Sequence, residues 1–376
     1  MAPPPSPTLP AYGGACLSSL LPALLAPPGE RPGWVPEPAA GARQVVLLVL
    51  DGLGWHQLSA RPGAVPALAA MRGGSITSVA PTTTATALTS IVAGVPPADH
   101  GVVGYRLRVD GRCGGEEVLN VLRWTTASGD AREWVPPGGF SAVEPFGGRA
   151  VPVVSRASFR GSGFTEAHLR GGVDRYWHLP SGVAVEVAAA LGEGAPFVYV
   201  YYDGVDKIAH VSGLGPHYEA ELRWADRLVA EVAGVLTPGA ALVVTADHGQ
   251  VEVGAGARPL DRDVLDGVRL LSGEARFRWF HARPGAAGDV EAALRERYAA
   301  EAWVRTVDQL DAEGWYGGPL GPTARGRLGD VALVPWEPVG YLDAGDAGDA
   351  GDARLVCRHG SLTPDEMWVP LLAVAG

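Results

Sequence analysis

Acidic and imidazole side chains follow three short apolar runs of the sequence. Asp51 follows VVLLVL, Asp203 follows FVYVYY, and the pair Asp247 and His248 follows ALVVTA. Such runs are typical of buried parallel strands, and ligands of open α/β sheets bind where the strands end. An aspartate after a strand often only caps a turn or a helix. Carboxylates and imidazoles collected at one sheet edge would remain unsatisfied without cations, however. The pattern therefore predicts a metal site, and these ligand types suit zinc.

A run of three threonines begins the segment PTTTATALTSIVAG, residues 81–94. The small residues that follow predict a helix with Thr84 at its N-terminus, where backbone N–H groups and the helix dipole favour an anion. A phosphoryl group could therefore be held over the Thr84 hydroxyl. By composition alone, Thr82, Thr83 or Thr84 could instead serve as an ordinary N-cap.

Helical patterns alternate with the apolar runs, notably over residues 182–191 and 218–236. This alternation predicts an α/β fold with a mostly parallel central sheet that helices flank on both faces. Residues 1–42 are rich in proline, and we interpret them as an N-terminal arm. Residues 43–376 are interpreted as a single domain with irregular insertions near residues 104–170 and 254–329, where Gly, Arg and Trp are frequent.

The acidic repeat DAGDAGDAGDA occupies residues 343–353. Its period is too short and its composition too polar for packing, so we interpret it as a mobile loop. A calcium site is disfavoured because calcium loops need a wider ligand spacing and a closing glutamate.

Charge and composition limit the class of protein. The chain of 376 residues has a formal charge of −11 at pH 7, which argues against nucleic-acid binding. No uninterrupted apolar run approaches the roughly 20 residues of a membrane span. The stretch from Ala15 to Ala26 lacks the preceding positive charge of a signal peptide. Three cysteines without a CxxC pair favour a reducing compartment. We therefore expect a soluble, cytoplasmic protein.

Five motifs occur together in a fixed order: VVLLVLDGLG, PTTTATALTSIVAG with PPADHGVVGY, YYDGVDKIAHVSG, VVTADHG and RHGSLTPDEMWVPLL. From Val45 to its end, the chain resembles the nucleotide pyrophosphatase and phosphodiesterase branch of the alkaline phosphatase superfamily. The resemblance implies an alkaline phosphatase-like catalytic domain that hydrolyses phosphate esters through a covalent phosphothreonine on Thr84. It also implies two divalent metal ions, with zinc expected, and a small-molecule phosphate ester or nucleotide as substrate.

The same resemblance implies which side chains hold the ions. The first ion would be bound by Asp51, Thr84, Asp247 and His248, and the second by Asp206, His210 and His359. The spacing of four residues from Asp206 to His210 lets both face one metal on a helical turn. Asp203 remains an alternative ligand, because it lies at the strand end itself.

One departure from the relatives concerns the phosphoryl oxygen. The resemblance implies an asparagine three residues after the nucleophile, whereas this chain has Ala87 there. The nonbridging phosphoryl oxygen that the amide of this asparagine would help to hold must then be held by the Thr84 backbone N–H, by the metal ions, or by a donor from elsewhere, such as Tyr105, Asn120 or Lys207.

Other functions remain open at this stage. A phosphomonoesterase with the same nucleophile is the main alternative, and phosphoglycerate mutase and phosphopentomutase relatives share the fold. A third is a metal-containing protein that binds a phosphorylated ligand without catalysis. A sulfatase is excluded, because Cys113 is followed by GGEE and not by the CxPxR pattern. No sequence feature fixes the oligomeric state.

Overall fold

The apolar runs of the sequence form neighbouring strands in the largest sheet. In the computed structural model, which describes residues 4–345 and 353–376, they are β1 (Gln44–Leu50), β9 (Phe197–Tyr202) and β10 (Ala240–Thr245). β1 lies between the other two and pairs with both in parallel. Their Val and Leu side chains are almost completely buried, as expected for parallel strands covered on both faces. The strands predicted at these positions are confirmed.

Four further strands complete this central sheet: β2 (Arg72–Thr77), β7 (Pro152–Arg156), β8 (Val173–Trp177) and β19 (Trp368–Ala375). The strand order is β2-β19-β10-β1-β9-β7-β8. β19 is antiparallel to both of its neighbours, and the remaining pairs are parallel. The predicted α/β fold with a mostly parallel central sheet is therefore confirmed. β7 belongs to this sheet although it lies within the range 104–170 that the sequence suggested as an insertion.

Two antiparallel sheets and two short ladders lie outside the central sheet. One sheet contains β3 (Arg106–Asp110), β4 (Glu116–Asn120), β5 (Thr125–Thr126) and β6 (Gly129–Asp130). The other contains β13 (Val268–Glu274), β14 (Phe277–Ala282), β15 (Ala302–Thr306) and β16 (Val331–Pro335). The ladders pair β11 (Val251–Glu252) with β18 (Cys357–Arg358), and β12 (Ala257–Pro259) with β17 (Gly340–Leu342). The β11–β18 ladder brings the segment before His359 beside the segment after His248.

The described helices pack around the central sheet and the sheet formed by β13, β14, β15 and β16. They are α1 (Leu17–Leu25), α2 (Glu37–Ala40), α3 (Trp55–Ser59), α4 (Pro66–Ala70), α5 (Thr84–Ala93), α6 (Pro97–His100), α7 (Gly163–His168), α8 (Val183–Gly192), α9 (Gly204–Ser212), α10 (Pro216–Ala233), α11 (Ala287–Tyr298), α12 (Val307–Ala312), α13 (Pro322–Gly326) and α14 (Pro364–Met367). The helices predicted near residues 182–191 and 218–236 are α8 and α10. Among the described helices, none combines the length and the apolar character needed to cross a membrane.

The segment before β1, which we interpreted as an N-terminal arm, packs against the rest of the domain. α1 contacts α5, and Leu17 and Leu20 are completely buried in the same hydrophobic core as β1. A parallel backbone bridge joins Cys16 to Thr77 of β2. This segment therefore supports the helix that begins at Thr84.

The acidic repeat predicted to be a mobile loop, residues 343–353, lies mostly outside the described residues, which stop at 345 and resume at 353.

Candidate metal centre

The strands β1, β9 and β10 end at one edge of the central sheet, and acidic residues follow each of them. Asp51 comes after β1, Asp203 after β9, and Asp247 with His248 after β10. Asp51, Asp247 and His248 are buried, with relative exposures of 3%, 0% and 0%. The parallel pairing of the strands therefore brings these side chains together, as the sequence predicted.

Asp51, Asp247 and His248 form a first group of possible metal ligands, whose ligand atoms lie within 4.8 Å of one another. Nε2 of His248 lies 3.3 Å from Oδ2 of Asp247 and 3.5 Å from Oδ1 of Asp51. Nδ1 of His248 lies 3.1 Å from the carbonyl oxygen of Gly249, an acceptor, so an N–H at Nδ1 donates to it. Nε2 is therefore the ring nitrogen that faces the two carboxylates.

This first group contains more acceptors than donors. Among the described residues, neither Oδ1 of Asp51 nor Oδ2 of Asp247 has a hydrogen-bond partner. Burial, reinforced by the charges of Asp247 and Asp206, raises the pKa of Asp51 well above its usual value, and burial also raises the pKa of Asp247. Buried acceptors without donors are costly. A divalent cation would satisfy both oxygens and the imidazole nitrogen, so these residues fit a metal ion.

The second oxygen of each carboxylate is oriented by a hydrogen bond. Tyr201 of β9 donates its hydroxyl to Oδ2 of Asp51. The N–H groups of Gly52 and His248 donate to Oδ1 of Asp247 at 3.0 and 3.1 Å. Each carboxylate is thus held so that its other oxygen points towards Nε2 of His248.

Asp206, His210 and His359 form a second group of possible ligands. Nε2 of His210 and Nε2 of His359 lie 3.3 and 3.8 Å from Oδ1 of Asp206. Asp206 and His210 are one turn apart on α9. Nδ1 of His210 lies 2.7 Å from the carbonyl of Cys357, and Nδ1 of His359 lies 2.8 Å from that of Thr82. Both imidazoles therefore present Nε2 to Asp206.

The two groups are adjacent. The rings of His248 and His359 are stacked, with centroids 3.5 Å apart and planes at 11°. Burial, together with the neighbouring His248 and His210, lowers the pKa of His359 well below its usual value. His359 is therefore neutral, which is the state that binds metals. Gln250 donates from Nε2 to Oδ1 of Asp206 at 2.6 Å and orients this carboxylate.

Asp203, the alternative ligand, belongs to neither group. Its Oδ1 accepts from Nη2 of Arg156 at 2.7 Å, and its Oδ2 accepts from Nζ of Lys207. The two cationic partners already compensate the negative charge of this buried carboxylate. The geometry therefore favours Asp206 over Asp203 as a ligand.

Thr84 is the first residue of α5, and its hydroxyl faces the first group. The N-cap of this helix is Thr83, whose hydroxyl accepts from the N–H of Thr86 at 3.5 Å. Thr82 donates its hydroxyl to the carbonyl of Ser361 at 2.7 Å. Because its two neighbours make these structural contacts, Thr84 is the threonine whose Oγ1 can approach Nε2 of His248, at 3.2 Å.

Two cavities meet at Thr84. The first, of about 260 Å³, lies beside the second ligand group and is lined by Thr83, Thr84, Tyr105, Leu122, Asp206, His210, Glu274, Ala275, Leu355, Arg358 and His359. The second, of about 480 Å³, is lined largely by aromatic and small polar residues that include Phe159, Phe164, His168, Tyr199 and Tyr201. We name them the histidine cavity and the aromatic cavity. Thr84, Leu122 and Asp206 line both.

Ala87 lies beneath the site, and not on the wall of either cavity. This residue is completely buried in the core, whereas Leu88 lines the aromatic cavity. Of the donors suggested to replace an asparagine there, Tyr105 lines the histidine cavity and accepts a hydrogen bond from the amide of Asn120 at 2.7 Å. Lys207 lines the aromatic cavity.

Sequence reasoning missed Gln250, Thr82 and Tyr201 as partners of the ligands. Gln250 directly follows the motif VVTADHG, so its position beside the motif was a usable signal. The contact of Tyr201 with Asp51 follows only from the pairing of β1 with β9.

The family model for type I phosphodiesterases and nucleotide pyrophosphatases matches residues 45–337. The chain belongs to this family. It is therefore a phosphoric ester hydrolase, as the resemblance in its motifs implied. A comparison with curated proteins gives no match.

Solved structures of similar fold include murine ectonucleotide pyrophosphatase/phosphodiesterase 5, with a TM-score of 0.65 and 14% identity over 89% of this chain and 88% of that chain. An inactive variant of that protein, with alanine in place of a threonine, was solved in complex with AMP. Phosphonoacetate hydrolase from Sinorhizobium meliloti 1021, in complex with phosphonoacetate, has a TM-score of 0.62 and 19% identity over 88% of this chain and 90% of that chain. At these identities the likeness concerns the fold.

Proposed function

We propose that this family member hydrolyses phosphate diesters, nucleotide diesters among them, through a covalent phosphothreonine on Thr84 and with two zinc ions. The observation that carries the proposal is the position of Oγ1 of Thr84, 3.2 Å from Nε2 of His248 and at the junction of two cavities. A hydroxyl there is next to possible metal ligands and open to a substrate.

The first ion would be held by Asp51, Thr84, Asp247 and His248, and the second by Asp206, His210 and His359. When bound, such ions lower the pKa of a serine or threonine hydroxyl and neutralise charge that develops on phosphoryl oxygens. Acceptor oxygens without donors in the first group and imidazoles that present Nε2 in both groups support this assignment.

The chain supplies the nucleophile and its orientation. Oγ1 of Thr84 forms a bond to phosphorus and gives its proton to solvent water. The bond from phosphorus to one ester oxygen breaks, and the leaving alkoxide takes up a proton from water and departs as an alcohol. Water then cleaves the phosphothreonine, which restores the hydroxyl and releases a phosphate monoester. The N–H groups in the first turn of α5 have no partner within the helix and favour a phosphoryl group above Thr84.

The two cavities favour a diester over a monoester. A diester carries two substituents on phosphorus, and the histidine and aromatic cavities extend from Thr84 in different directions with volumes of about 260 and 480 Å³. In the aromatic cavity, the rings of Phe159 and Tyr201 are 6.0 Å apart, and Phe164 stacks on His168 at 3.8 Å. Such a lining suits an aryl group or a nucleobase.

The similar structures support the same chemistry. The murine relative that was solved with AMP is described as inactive when alanine replaces a threonine, as expected if a threonine is its nucleophile. Phosphonoacetate, the ligand in the Sinorhizobium meliloti structure, likewise carries a phosphoryl group.

Trapping the intermediate tests the proposal. The zinc-loaded chain would be mixed with bis(p-nitrophenyl) phosphate and quenched in acid during steady-state turnover. Mass spectrometry should then find a phosphoryl ester on the peptide that contains Thr84. If this phosphoryl ester is absent although the first alcohol is released faster than water could cleave the intermediate, direct attack by water is indicated, and the proposal is wrong.

A further inference from the structure

A buried ion pair joins the hairpin β13–β14 to the loop that carries His359. Arg276, in the turn of the hairpin, donates from Nε and Nη2 to the two carboxylate oxygens of Glu366, each at 2.7 Å. Both side chains are completely inaccessible to solvent. Further N–H groups of Arg276 donate to the carbonyls of Glu337 and Val339 at 2.9 and 2.8 Å. The guanidinium is therefore fixed in one orientation.

Glu366, in the short helix α14, holds the loop of residues 359–363. Its Oε1 accepts from the N–H of Ser361 at 3.0 Å, and its Oε2 accepts from the hydroxyl of Thr363 at 2.5 Å. Its backbone carbonyl accepts from the N–H of Gly249 at 2.9 Å. One residue thus contacts the segments that adjoin His359 and His248.

Thr82 holds the other side of this loop. Its carbonyl accepts from Nδ1 of His359 at 2.8 Å, and its hydroxyl oxygen accepts from the N–H of Gly360 at 3.0 Å. Gly360 has a φ of +131°, and a Cβ atom there would lie 3.0 Å from Oε1 of Glu274 in β13. The loop is therefore clamped between the start of α5 and the hairpin β13–β14.

A buried ion pair is seldom more stabilising than apolar residues of similar volume, so fold stability alone does not explain Arg276 and Glu366. We propose that these two are positioning residues, which fix the loop so that Nε2 of His359 faces Asp206. Their role rests on the proposed function, because it makes His359 a metal ligand. The four-stranded sheet that contains the hairpin thereby takes part in building the metal centre.

Zinc binding by the full chain tests this inference. In the double variant Arg276→Met with Glu366→Leu, apolar side chains replace the pair. We expect the zinc affinity of the group that contains His359 to fall by about 10- to 100-fold, as for other partners of metal-binding histidines. Arg278→Met is the matched control. Arg278 is a buried arginine of the same hairpin that donates hydrogen bonds to the carbonyls of Gly273 and Tyr341, and its replacement should leave both zinc affinities within about twofold of the wild type. Unchanged zinc affinities in the folded double variant would refute the inference.

A second measurement needs no metal. In the metal-free chain, hydrogen exchange at the amides of Gly360 and Ser361 should be faster in the double variant than in the wild type, with β1 and β10 unaffected. If the double variant does not fold, Arg276→Lys keeps the charge and loses the two-pronged contact, and the same exchange should increase. Faster exchange in the variant, combined with a wild-type protein that binds no zinc, would leave the positioning role standing and remove the proposed function. Unchanged exchange would remove the positioning role.

Discussion

Oγ1 of Thr84 lies 3.2 Å from Nε2 of His248, although 164 positions separate the two residues in the chain. The contact joins the start of α5 to the end of β10. It places a hydroxyl beside Nε2, the ring nitrogen that also faces Asp51 and Asp247, while Nδ1 contacts the carbonyl of Gly249. Thr84 is thereby distinguished from the two threonines that precede it.

Replacing Thr84 tests this distinction. We expect Thr84→Ala to abolish hydrolysis of bis(p-nitrophenyl) phosphate and Thr84→Ser to retain measurable turnover, because serine keeps the hydroxyl. Thr83→Ala removes the N-cap and should cost about 1 kcal/mol of stability while turnover persists. Steady-state kinetics and urea unfolding of the three variants provide the check. The opposite pattern, with Thr83 essential and Thr84 dispensable, would contradict the assignment.

The zinc content of the purified protein tests the two ligand groups. Elemental analysis should find close to two zinc ions per chain, as the two groups imply. Asp206→Asn should lower the affinity for the second ion. Asp203→Asn, one turn away and paired with Arg156 and Lys207, is the matched control and should leave the zinc content unchanged. If Asp203→Asn released zinc and Asp206→Asn did not, the ligand would be Asp203.

The presence of two cavities predicts a preference for diesters. We expect kcat/KM for bis(p-nitrophenyl) phosphate to exceed that for p-nitrophenyl phosphate, because the second aryl group of the diester packs against the wall of a cavity in the transition state. A monoester advantage of about tenfold or more, equivalent to about 1.4 kcal/mol of transition-state binding, would instead identify a phosphomonoesterase. Both substrates release the same chromophore, so one absorbance assay compares them.

Phe159 in the aromatic cavity should contribute to substrate affinity. Aromatic pairs are worth about 0.5–1.5 kcal/mol, so Phe159→Ala should raise KM for aryl diesters by about two- to tenfold with little change in kcat. Leu179, whose relative exposure is 71% and which lines neither cavity, gives the control variant Leu179→Ala. A fall in kcat at constant KM would indicate that Phe159 orients the reacting group and does not simply hold the ester substituent.

Acid should destabilise the protein through His100. Burial lowers the pKa of His100 to about 3, whereas an exposed histidine in the unfolded chain takes up its proton at about pH 6.5. Between these two pKa values the unfolded state binds more protons. The free energy of unfolding therefore decreases as the pH falls below about 6.5, by up to about 1.4 kcal/mol per pH unit.

The variant His100→Gln lacks this titration. Its stability deficit relative to the wild type should be largest at neutral pH, where the lost hydrogen bond to Ser90 matters in full, and should shrink as the pH falls from about 6.5 to about 4. Urea unfolding across this pH range measures the deficit. His178→Gln, at an exposed histidine, is the control. A loss of unfolding free energy in His100→Gln that does not depend on pH would disprove the role assigned to His100.

The amino-acid sequence by itself determined the central strands and the residues that follow them. The runs before Asp51, Asp203 and Asp247 are continuous and apolar over a strand length, which is a local property that burial on both faces requires. Asp51 could be assigned to the same site as Asp247 and His248 because parallel strands end at the same edge of a sheet. The spacing of Asp206 and His210 on a helical turn is likewise local.

Only the tertiary structure decided between neighbours that the sequence makes equivalent. Asp206 faces His210 and His359, whereas Asp203 pairs with Arg156, from β7, and with Lys207. Thr84 faces His248 because the bonds of Thr82 and Thr83 turn their hydroxyls elsewhere. The direction of a side chain and the partners that satisfy it depend on segments brought together by packing. Local sequence patterns carry the period of a strand or helix, but they do not specify which distant group lies opposite a given atom.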